Sequence, residues 1–365
     1  MDWKTTAGTA LAALLLAAAP AHAQTDPVGW QACAALGNDT ARLACFDAWT
    51  GRQTAPAAPA PQSVAAARVA PPDNQDDDRC HDESQSELSR FWELDYKSSC
   101  DILGIRSYRP ISLSLIGSDT VNRQPTSGNP ANNATSETPY RNFETRIQLS
   151  VRSKLAHRVF TGSGELQDSL WFGYTQQSYW QLFTDSISRP FRITDHEPEL
   201  VYVYPFDRPI AGKWRLRYGG LGAVHQSNGQ SLPLSRSWNR VYLMAGAEHD
   251  GGVSLEGRLW HRIKEDPATD DNPEISDYVG RGEATAAWMT NGGQRLAFTW
   301  RTTLRRWDRG SARLQWMVPV KSPITHTHFG ALQFHTQLFT GYGDSLLDYN
   351  RKRTVLSVGL SLFDW

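Results

Sequence analysis

The chain has 365 residues, and its 37 basic and 38 acidic side chains nearly cancel, so charge gives no reason to expect a nucleic-acid partner. Charged residues make up 21% of the chain, and after the N-terminal segment no stretch approaches the roughly 20 consecutive apolar residues of a membrane helix. This composition excludes a helical membrane protein. It allows a membrane β-barrel, whose strands carry apolar residues only at alternate positions.

The N-terminal segment is typical of a secretory signal peptide. Residues 1–23 contain a short charged start, the apolar run ALAALLLAAAP and the sequence AHA before Gln24. We therefore expect the mature protein to begin near Gln24, in an exported compartment.

Four cysteines suit an oxidising compartment, because an even number leaves none unpaired. Of the three possible pairings we favour Cys33 with Cys45 and Cys80 with Cys100. A zinc site is the alternative interpretation, but no His accompanies these cysteines at the spacing of a zinc finger.

The region before the predicted strands divides into three parts. Residues 24–53 have the pattern of a small helical piece with its own Cys pair. An Ala/Pro-rich tract at 54–78 cannot pack a core and is predicted to be a linker. Residues 79–107 form a Cys-paired segment ahead of the predicted strands at 108–365, described next.

From about Tyr108 the sequence changes to short alternating segments separated by turn-rich stretches. In 143–151, 253–263 and 295–305, apolar side chains occupy one face of each strand and mostly polar ones the other. In a soluble sandwich the apolar face is the core, whereas in a small membrane barrel it contacts lipid and the charged face fills the interior. The 14 Trp and 12 Tyr favour the barrel, since aromatic girdles lie at both bilayer interfaces.

About twelve candidate strands lie between Tyr108 and Trp365. An even number returns both ends of a barrel to the periplasm. We therefore predict an all-β fold, a twelve-stranded antiparallel transmembrane β-barrel over 108–365, with a short N-terminal periplasmic extension.

The segment GAVHQSNGQSLPLSRSWNR, residues 222–240, contains a candidate hydrolase site. On a strand, residues two apart share a face, so His225 can lie within reach of the Ser227 hydroxyl. The next antiparallel strand can place Asn239 beside His225, where it can fix the imidazole tautomer. A polar strand end that enters a turn is the alternative interpretation, because Ser and His occur often in this chain.

The faces of these two strands predict where the site points. Asn239 shares its face with Val241 and Leu243, and His225 shares its face with Leu221 and Ala223. The three side chains are therefore expected on the lipid-facing exterior of the barrel. A hydrolase with this orientation is expected to cut a component of the bilayer.

Between Tyr108 and Trp365 the sequence resembles the outer membrane phospholipase A family. The resemblance is carried by six motifs in order: YTQQSYWQL (174–182), RPFRITDHEPEL (189–200), the His225–Ser227 triplet followed by NG, SRSWNR (235–240), TDDNPEIS (269–276) and GYGDSLLDYN (341–350). The signal peptide, the linker and the four cysteines lie outside this resemblance.

The resemblance implies a twelve-stranded antiparallel barrel that hydrolyses acyl esters of phospholipids and lysophospholipids with Ca²⁺ as cofactor. By motif, Ser227 corresponds to the nucleophile, His225 to the general base and Asn239 to the residue that orients the base. The expected setting is the bacterial outer membrane, with the N-terminal extension in the periplasm and a homodimer as the active form.

Calcium ligands also follow from the resemblance: the Ser235 hydroxyl, the Gln230 main-chain carbonyl, and the carbonyl of Ser188 of the partner subunit. Family members often have Arg where this chain has Gln230, a change that a carbonyl ligand tolerates. Asp271 matches a further acidic position associated with calcium, and a solvated loop carboxylate is the alternative interpretation. Gln176 matches a polar residue of the dimer interface, with pairing inside the barrel as the alternative.

The sequence thus predicts a calcium-dependent phospholipase A1/A2, with lysophospholipase activity, that dimerisation activates. Two other classes of protein compete with this prediction. One is a non-catalytic outer-membrane barrel, a pore or an adhesin, which needs an open interior. The other is a soluble β-sandwich esterase.

Overall fold

The structure is a computed structural model that describes residues 30–53, 85–321 and 328–362. The chain divides into two compact units, residues 1–70 and 71–365. In the described ranges no helix is long and apolar enough to cross a membrane.

The described part of the first unit is a pair of helices. α1 (Trp30–Ala34) and α2 (Asp39–Gln53) are separated by a short turn, in which the Asn38 side chain accepts hydrogen bonds from N–H groups at the start of α2. A disulfide joins Cys33 to Cys45. Both the helical character and this cysteine pairing confirm the sequence prediction.

Several other predictions about the N-terminal region fall on residues without a description. The signal peptide (1–23), the linker (54–78) and Cys80 lie outside the described residues. Cys100 is disulfide-bonded.

In the described part of the second unit, twelve antiparallel strands form a closed barrel. They are β2 (Ile111–Ser118), β3 (Phe143–His157), β4 (Ser169–Trp180), β5 (Phe191–Ala211), β6 (Trp214–Ser227), β7 (Ser237–His249), β8 (Val253–Ile263), β9 (Gly282–Met289), β10 (Arg295–Thr302), β11 (Gly310–Lys321), β12 (His328–Gly341) and β13 (Arg353–Leu362). Sequential strands pair, and β2 pairs with β13 to close the sheet. A short additional strand, β1 (Ile105–Ser107), pairs with β3. The predicted twelve-stranded antiparallel barrel is confirmed.

The barrel has its apolar side chains outside and its polar ones inside. On β8, Leu255, Leu259 and Ile263 are exposed, whereas Ser254 is buried. On β13 the same outward face carries exposed apolar residues, namely Leu356, Val358, Leu360 and Leu362. This arrangement is that of a membrane barrel, not of a soluble sandwich.

Charged groups in ion pairs occupy the interior. Arg192 contacts Glu144 at 2.7 Å and Asp348 at 2.9 Å, and Arg353 contacts Asp348 at 2.7 Å. All four side chains are fully buried. A buried charge is tolerated when it is paired, so these ion pairs allow charged side chains to fill the interior.

A short helix ahead of the barrel fills one end of the lumen. α3 (Glu87–Trp92) starts after Ser86, whose hydroxyl caps the helix by accepting a hydrogen bond from the Ser89 N–H. Trp92 is fully buried, with its ring centroid 6.0 Å from that of Trp171 and 5.8 Å from that of Tyr218. These partners point into the barrel, so α3 plugs the lumen. A plugged lumen argues against the open-pore alternative.

The two ends of the barrel differ in loop length. Short connections such as 212–213 and 250–252 lie at the end that α3 plugs, and the other end carries longer segments such as 119–142, 228–236 and 264–281. Outer-membrane barrels keep short turns in the periplasm and longer loops outside the cell. The predicted site residues lie at the long-loop end.

Candidate active site

The predicted nucleophile and base lie at the long-loop end of β6. Ser227 is the last residue of β6 and His225 precedes it by two, so both side chains project from the outer face. His225 is exposed and Ser227 is half-buried. Leu221, further along the same face, is 55% exposed. The structure therefore has the outward orientation that the strand pattern predicted.

The neighbouring strand brings Asn239 to His225. The register of β6 and β7 pairs these two residues directly, and His225 Nδ1 lies 2.8 Å from Asn239 Oδ1. An amide oxygen only accepts hydrogen bonds, so this contact assigns the hydrogen to Nδ1. In the neutral imidazole this leaves Nε2 as the nitrogen able to accept a proton.

Ser227 is close to this pair but is not bonded to it. Within the described residues His225 bonds to Asn239, and no hydrogen bond joins it to the Ser227 hydroxyl. Such contacts are often long in ligand-free enzymes and tighten when substrate binds. Across the register, Ser227 faces His196 on β5 and Ser237 on β7.

The loop from 228 to 236 is organised by Asn228. Its Nδ2 donates to the Leu234 carbonyl at 2.7 Å, and its Oδ1 accepts from the Arg236 N–H at 2.9 Å. Arg236 is itself fully buried, and burial lowers the pKa of its guanidinium. These contacts fix the path of the loop that carries two of the predicted calcium ligands.

Two of the predicted calcium ligands, Ser235 and Asp271, contact each other. The Ser235 hydroxyl donates to Asp271 Oδ2 at 2.7 Å, and the Ser237 hydroxyl donates to the same oxygen at 3.2 Å. Asn132, from the loop between β2 and β3, donates to Asp271 Oδ1 at 3.0 Å and to the Ser235 carbonyl at 2.9 Å. Asp271 is thus part of this cluster, and the alternative of a solvated loop carboxylate is disfavoured.

The other two predicted ligands are placed differently. Gln230 lies in the same loop as Ser235, and its side-chain oxygen is buried without a hydrogen-bond partner in the described part of the chain. Ser188 lies in the loop between β4 and β5, where it and Arg189 adopt left-handed backbone conformations with φ of 61° and 52°. No hydrogen bond between described residues joins Ser188 to the other three. One chain therefore assembles only part of the predicted set.

The donor chemistry of this cluster fits calcium. A hydroxyl, a carboxylate and main-chain carbonyls are the hard oxygen ligands that Ca²⁺ prefers, at distances of about 2.3–2.6 Å. Ser235 and Asp271 present oxygens 2.7 Å apart, close enough to share one ion. The described residues contain no group of three or more His, Cys, Asp and Glu side chains that could hold a metal by themselves.

Glu265 is a site residue that the sequence analysis missed. It follows β8, is half-buried, and accepts a 3.1 Å hydrogen bond from Asn239 Nδ2. Burial raises the pKa of its carboxyl, an effect that the nearby Arg262 guanidinium opposes. Strand parity could have identified it. Ile263 pairs with Asn239, and Glu265, two residues further on, is expected on the same face.

Gln176 also projects outward, on β4. Its side-chain oxygen accepts from the Tyr174 hydroxyl at 3.3 Å, and its nitrogen donates to the Ser178 hydroxyl at 3.3 Å. In register it lies opposite His196, which in turn lies opposite Ser227. The alternative of pairing inside the barrel is wrong. A polar stripe instead extends from Gln176 toward the candidate site.

The fold and site together define an outer-membrane β-barrel that carries hydrolase-type side chains on its outer face. Comparison with protein families gives this class a name. Residues 88–362 match the family model described as Phospholipase A1. The chain belongs to this family, as its sequence motifs predicted.

Relatives and solved structures agree with this assignment. The chain is 36% identical over 285 residues to the putative phospholipase A1 of Neisseria meningitidis serogroup B. The aligned region covers 76% of this chain and 70% of the relative. It is 35% identical over 227 residues to phospholipase A1 of Escherichia coli K12, covering 61% of this chain and 71% of that one.

Two solved structures share the barrel. The outer membrane phospholipase dimer of Salmonella typhi with bound calcium has 30% identity and a TM-score of 0.60, over 72% of this chain and 93% of that chain. Outer membrane phospholipase A of Escherichia coli has 30% identity and a TM-score of 0.60, over 71% of this chain and 98% of that chain.

Proposed function

We propose that this protein is a calcium-dependent phospholipase A1/A2 of the bacterial outer membrane, which also hydrolyses lysophospholipids and is activated by dimerisation. The observation that carries the proposal is the 2.8 Å contact between His225 Nδ1 and Asn239 Oδ1, on the outer face of the barrel and two residues from Ser227. Relatives named phospholipase A1 and a related dimer with bound calcium support it.

In the proposed reaction, Ser227 Oγ attacks the carbonyl carbon of an acyl ester while His225 Nε2 accepts its proton. Asn239 Oδ1 keeps the Nδ1 hydrogen in place and stabilises the imidazolium. The tetrahedral intermediate then expels the alcohol oxygen of the lysophospholipid, which takes the proton from His225. A water molecule, deprotonated by His225, cleaves the acyl-serine, releases the fatty acid and restores Ser227.

The residues proposed to hold calcium are Ser235 through its hydroxyl, Gln230 through its carbonyl, and Ser188 of the partner subunit. Asp271 adds a carboxylate that already contacts the Ser235 hydroxyl at 2.7 Å. When bound, calcium supplies positive charge beside the oxyanion of the tetrahedral intermediate. Backbone N–H groups near Ser227 provide the remaining stabilisation.

The position of the site on the barrel supports a lipid substrate. The outward face of β7 continues from Asn239 through Val241 to Leu243, which is 66% exposed. These apolar side chains can contact acyl chains, while the triad lies near the long-loop end, where headgroup esters lie at the membrane boundary. Phospholipids and lysophospholipids therefore fit the site.

The N-terminal segments belong to the same proposal. The signal peptide (1–23) directs export, and the Cys-paired segment (24–53), the linker (54–78) and the pre-barrel segment (79–107) are on the periplasmic side of the barrel, from which α3 of the last segment enters the lumen. The support is that β1 and α3 meet the barrel at its short-turn end, which outer-membrane barrels keep on the periplasmic side.

Removal of the nucleophile tests the proposal. With refolded full-length protein and phospholipid micelles, Ser227→Ala lowers calcium-dependent fatty-acid release by at least about a thousandfold. Ser231→Ala, which removes an exposed hydroxyl from the adjoining loop, serves as the matched control and keeps wild-type turnover. Residual activity of Ser227→Ala near the wild-type rate would show that another group is the nucleophile.

A further inference from the structure

Asn239 has a second partner outside the proposed triad. Its Oδ1 faces His225, and its Nδ2 donates a 3.1 Å hydrogen bond to Glu265 Oε1. Glu265 lies two residues beyond Ile263, which pairs with Asn239 across β7 and β8. His225, Asn239 and Glu265 are therefore joined by hydrogen bonds at the outer rim of the barrel, and Ser227 lies two residues from His225 on the same face.

The chemistry of an amide makes this second contact important. An Asn side chain can turn either its oxygen or its NH₂ group toward a neighbour with little change in shape. If the NH₂ group of Asn239 faced His225, Nδ1 would have to be unprotonated and the hydrogen would move to Nε2. His225 could then no longer accept the Ser227 proton.

A carboxylate removes this ambiguity, because an ionised carboxylate only accepts hydrogen bonds. Glu265 therefore binds the NH₂ end of Asn239 and leaves the oxygen end for His225. We infer that Glu265 is a positioning residue of the hydrolytic site, which holds Asn239 in the one orientation that keeps His225 Nε2 free to act as a base. The inference rests on the proposed function, since it assigns Glu265 a role in the same reaction.

Glu265 is itself held in place. The Arg262 guanidinium lies 3.9 Å from Glu265 Oε2 and 2.6 Å from Asp270 Oδ1. Arg262 also donates to the main-chain carbonyls of Asn272 and Pro273 in the same loop. Arg262 thus contacts both Glu265 and the loop that carries Asp271.

The first test is the kinetics of single variants of the refolded full-length protein. Glu265→Ala lowers kcat for fatty-acid release about tenfold, the effect of one lost hydrogen bond to a charged group, and leaves KM unchanged. Glu265→Gln recovers only part of this loss, because its amide can turn either a donor or an acceptor toward Asn239 and no longer selects one orientation. The control Asp277→Ala removes a carboxylate that pairs with Arg281 in the same loop and keeps wild-type kcat.

A double variant separates positioning from a general effect on the loop. If Glu265 acts through Asn239, adding Glu265→Ala to Asn239→Ala causes no further loss of kcat. If Glu265 only stabilises the loop, the same tenfold loss appears in both backgrounds and the inference is overturned. The heat-modifiable gel shift checks that every variant retains its barrel.

The outcomes also separate this inference from the proposed function. Wild-type kcat in Ser227→Ala and Asn239→Ala would remove the triad, and the role of Glu265 with it. Wild-type kcat in Glu265→Ala, with Ser227→Ala inactive and kcat of Asn239→Ala strongly reduced but measurable, would leave the phospholipase intact and overturn only the role of Glu265.

Discussion

At the scale of single residues, Asp271 connects two loops and the start of a strand. Its carboxylate accepts hydrogen bonds from Ser235, Ser237 and Asn132. Among the described residues no ion pair joins it to Lys, Arg or His, so its direct partners are hydroxyl and amide donors, and the Arg236 guanidinium acts on it only at longer range. A carboxylate whose direct partners are all neutral favours a cation, which supports the proposed calcium site beside Ser235.

This reasoning predicts the effect of removing the Ser235 hydroxyl. Ser235→Ala deletes one proposed calcium ligand and one hydrogen bond to Asp271. We expect the calcium concentration for half-maximal fatty-acid release to rise at least about tenfold, with the maximal rate largely recovered at saturating calcium. Titration of activity with calcium measures the shift. Ser231→Ala is the control, and an unchanged calcium midpoint in Ser235→Ala would exclude Ser235 as a ligand.

The residues found from sequence and those missed differ in how they are linked. His225 and Ser227 share one strand, and Asn239 lies on the next strand of the chain, so strand parity and the pairing of consecutive strands were enough to bring them together. Asn132 belongs to a long loop between β2 and β3, whose path over the barrel no periodicity describes. Its contact with Asp271, 139 residues away, depends on barrel closure and was not predictable.

At the scale of elements, α3 contrasts with the strands. The alternation in β8 and β10 predicted both their existence and which face meets lipid, because one face of each is exposed to the membrane. α3 has six residues, too few to show a helical period, and its partners Trp171 and Tyr218 are distant in sequence. The pre-barrel segment was predicted, but its insertion into the lumen was not.

The plug helix leads to a prediction about stability. Trp92→Ala removes a fully buried ring from the lumen and is expected to destabilise the barrel by about 3–5 kcal/mol. The temperature at which the compact gel form is lost should fall accordingly. Trp307→Ala, at a position 83% exposed, is the matched control and should leave this temperature unchanged. Equal temperatures for both variants would show that α3 does not stabilise the barrel.

At the scale of the whole molecule, the outer surface has a polar stripe where lipid contact favours apolar groups. Tyr174, Gln176 and Ser178 form this stripe on β4, where they bond to one another and, through Tyr174 and Ser178, to His196 and Thr194 of β5. Polar side chains at a membrane-facing surface are stabilised when they meet polar partners. His196 lies between the stripe and the candidate site, because it pairs with Gln176 on one side and with Ser227 on the other. A second subunit that covers the stripe would therefore also lie close to the candidate site.

The last prediction links this surface to calcium. One chain brings together Ser235 and Asp271 but leaves Ser188 apart, so calcium binding and dimerisation should strengthen each other by the same coupling free energy, typically about 1–3 kcal/mol. In detergent, cross-linking yield should rise with calcium and fall with chelator, and fatty-acid release per chain should increase with the protein-to-detergent ratio. Ser235→Ala should weaken both responses, whereas Ser231→Ala should keep them. A species that sediments as a monomer and is fully active at saturating calcium would disprove the shared site, even with Ser227 and His225 established as catalytic.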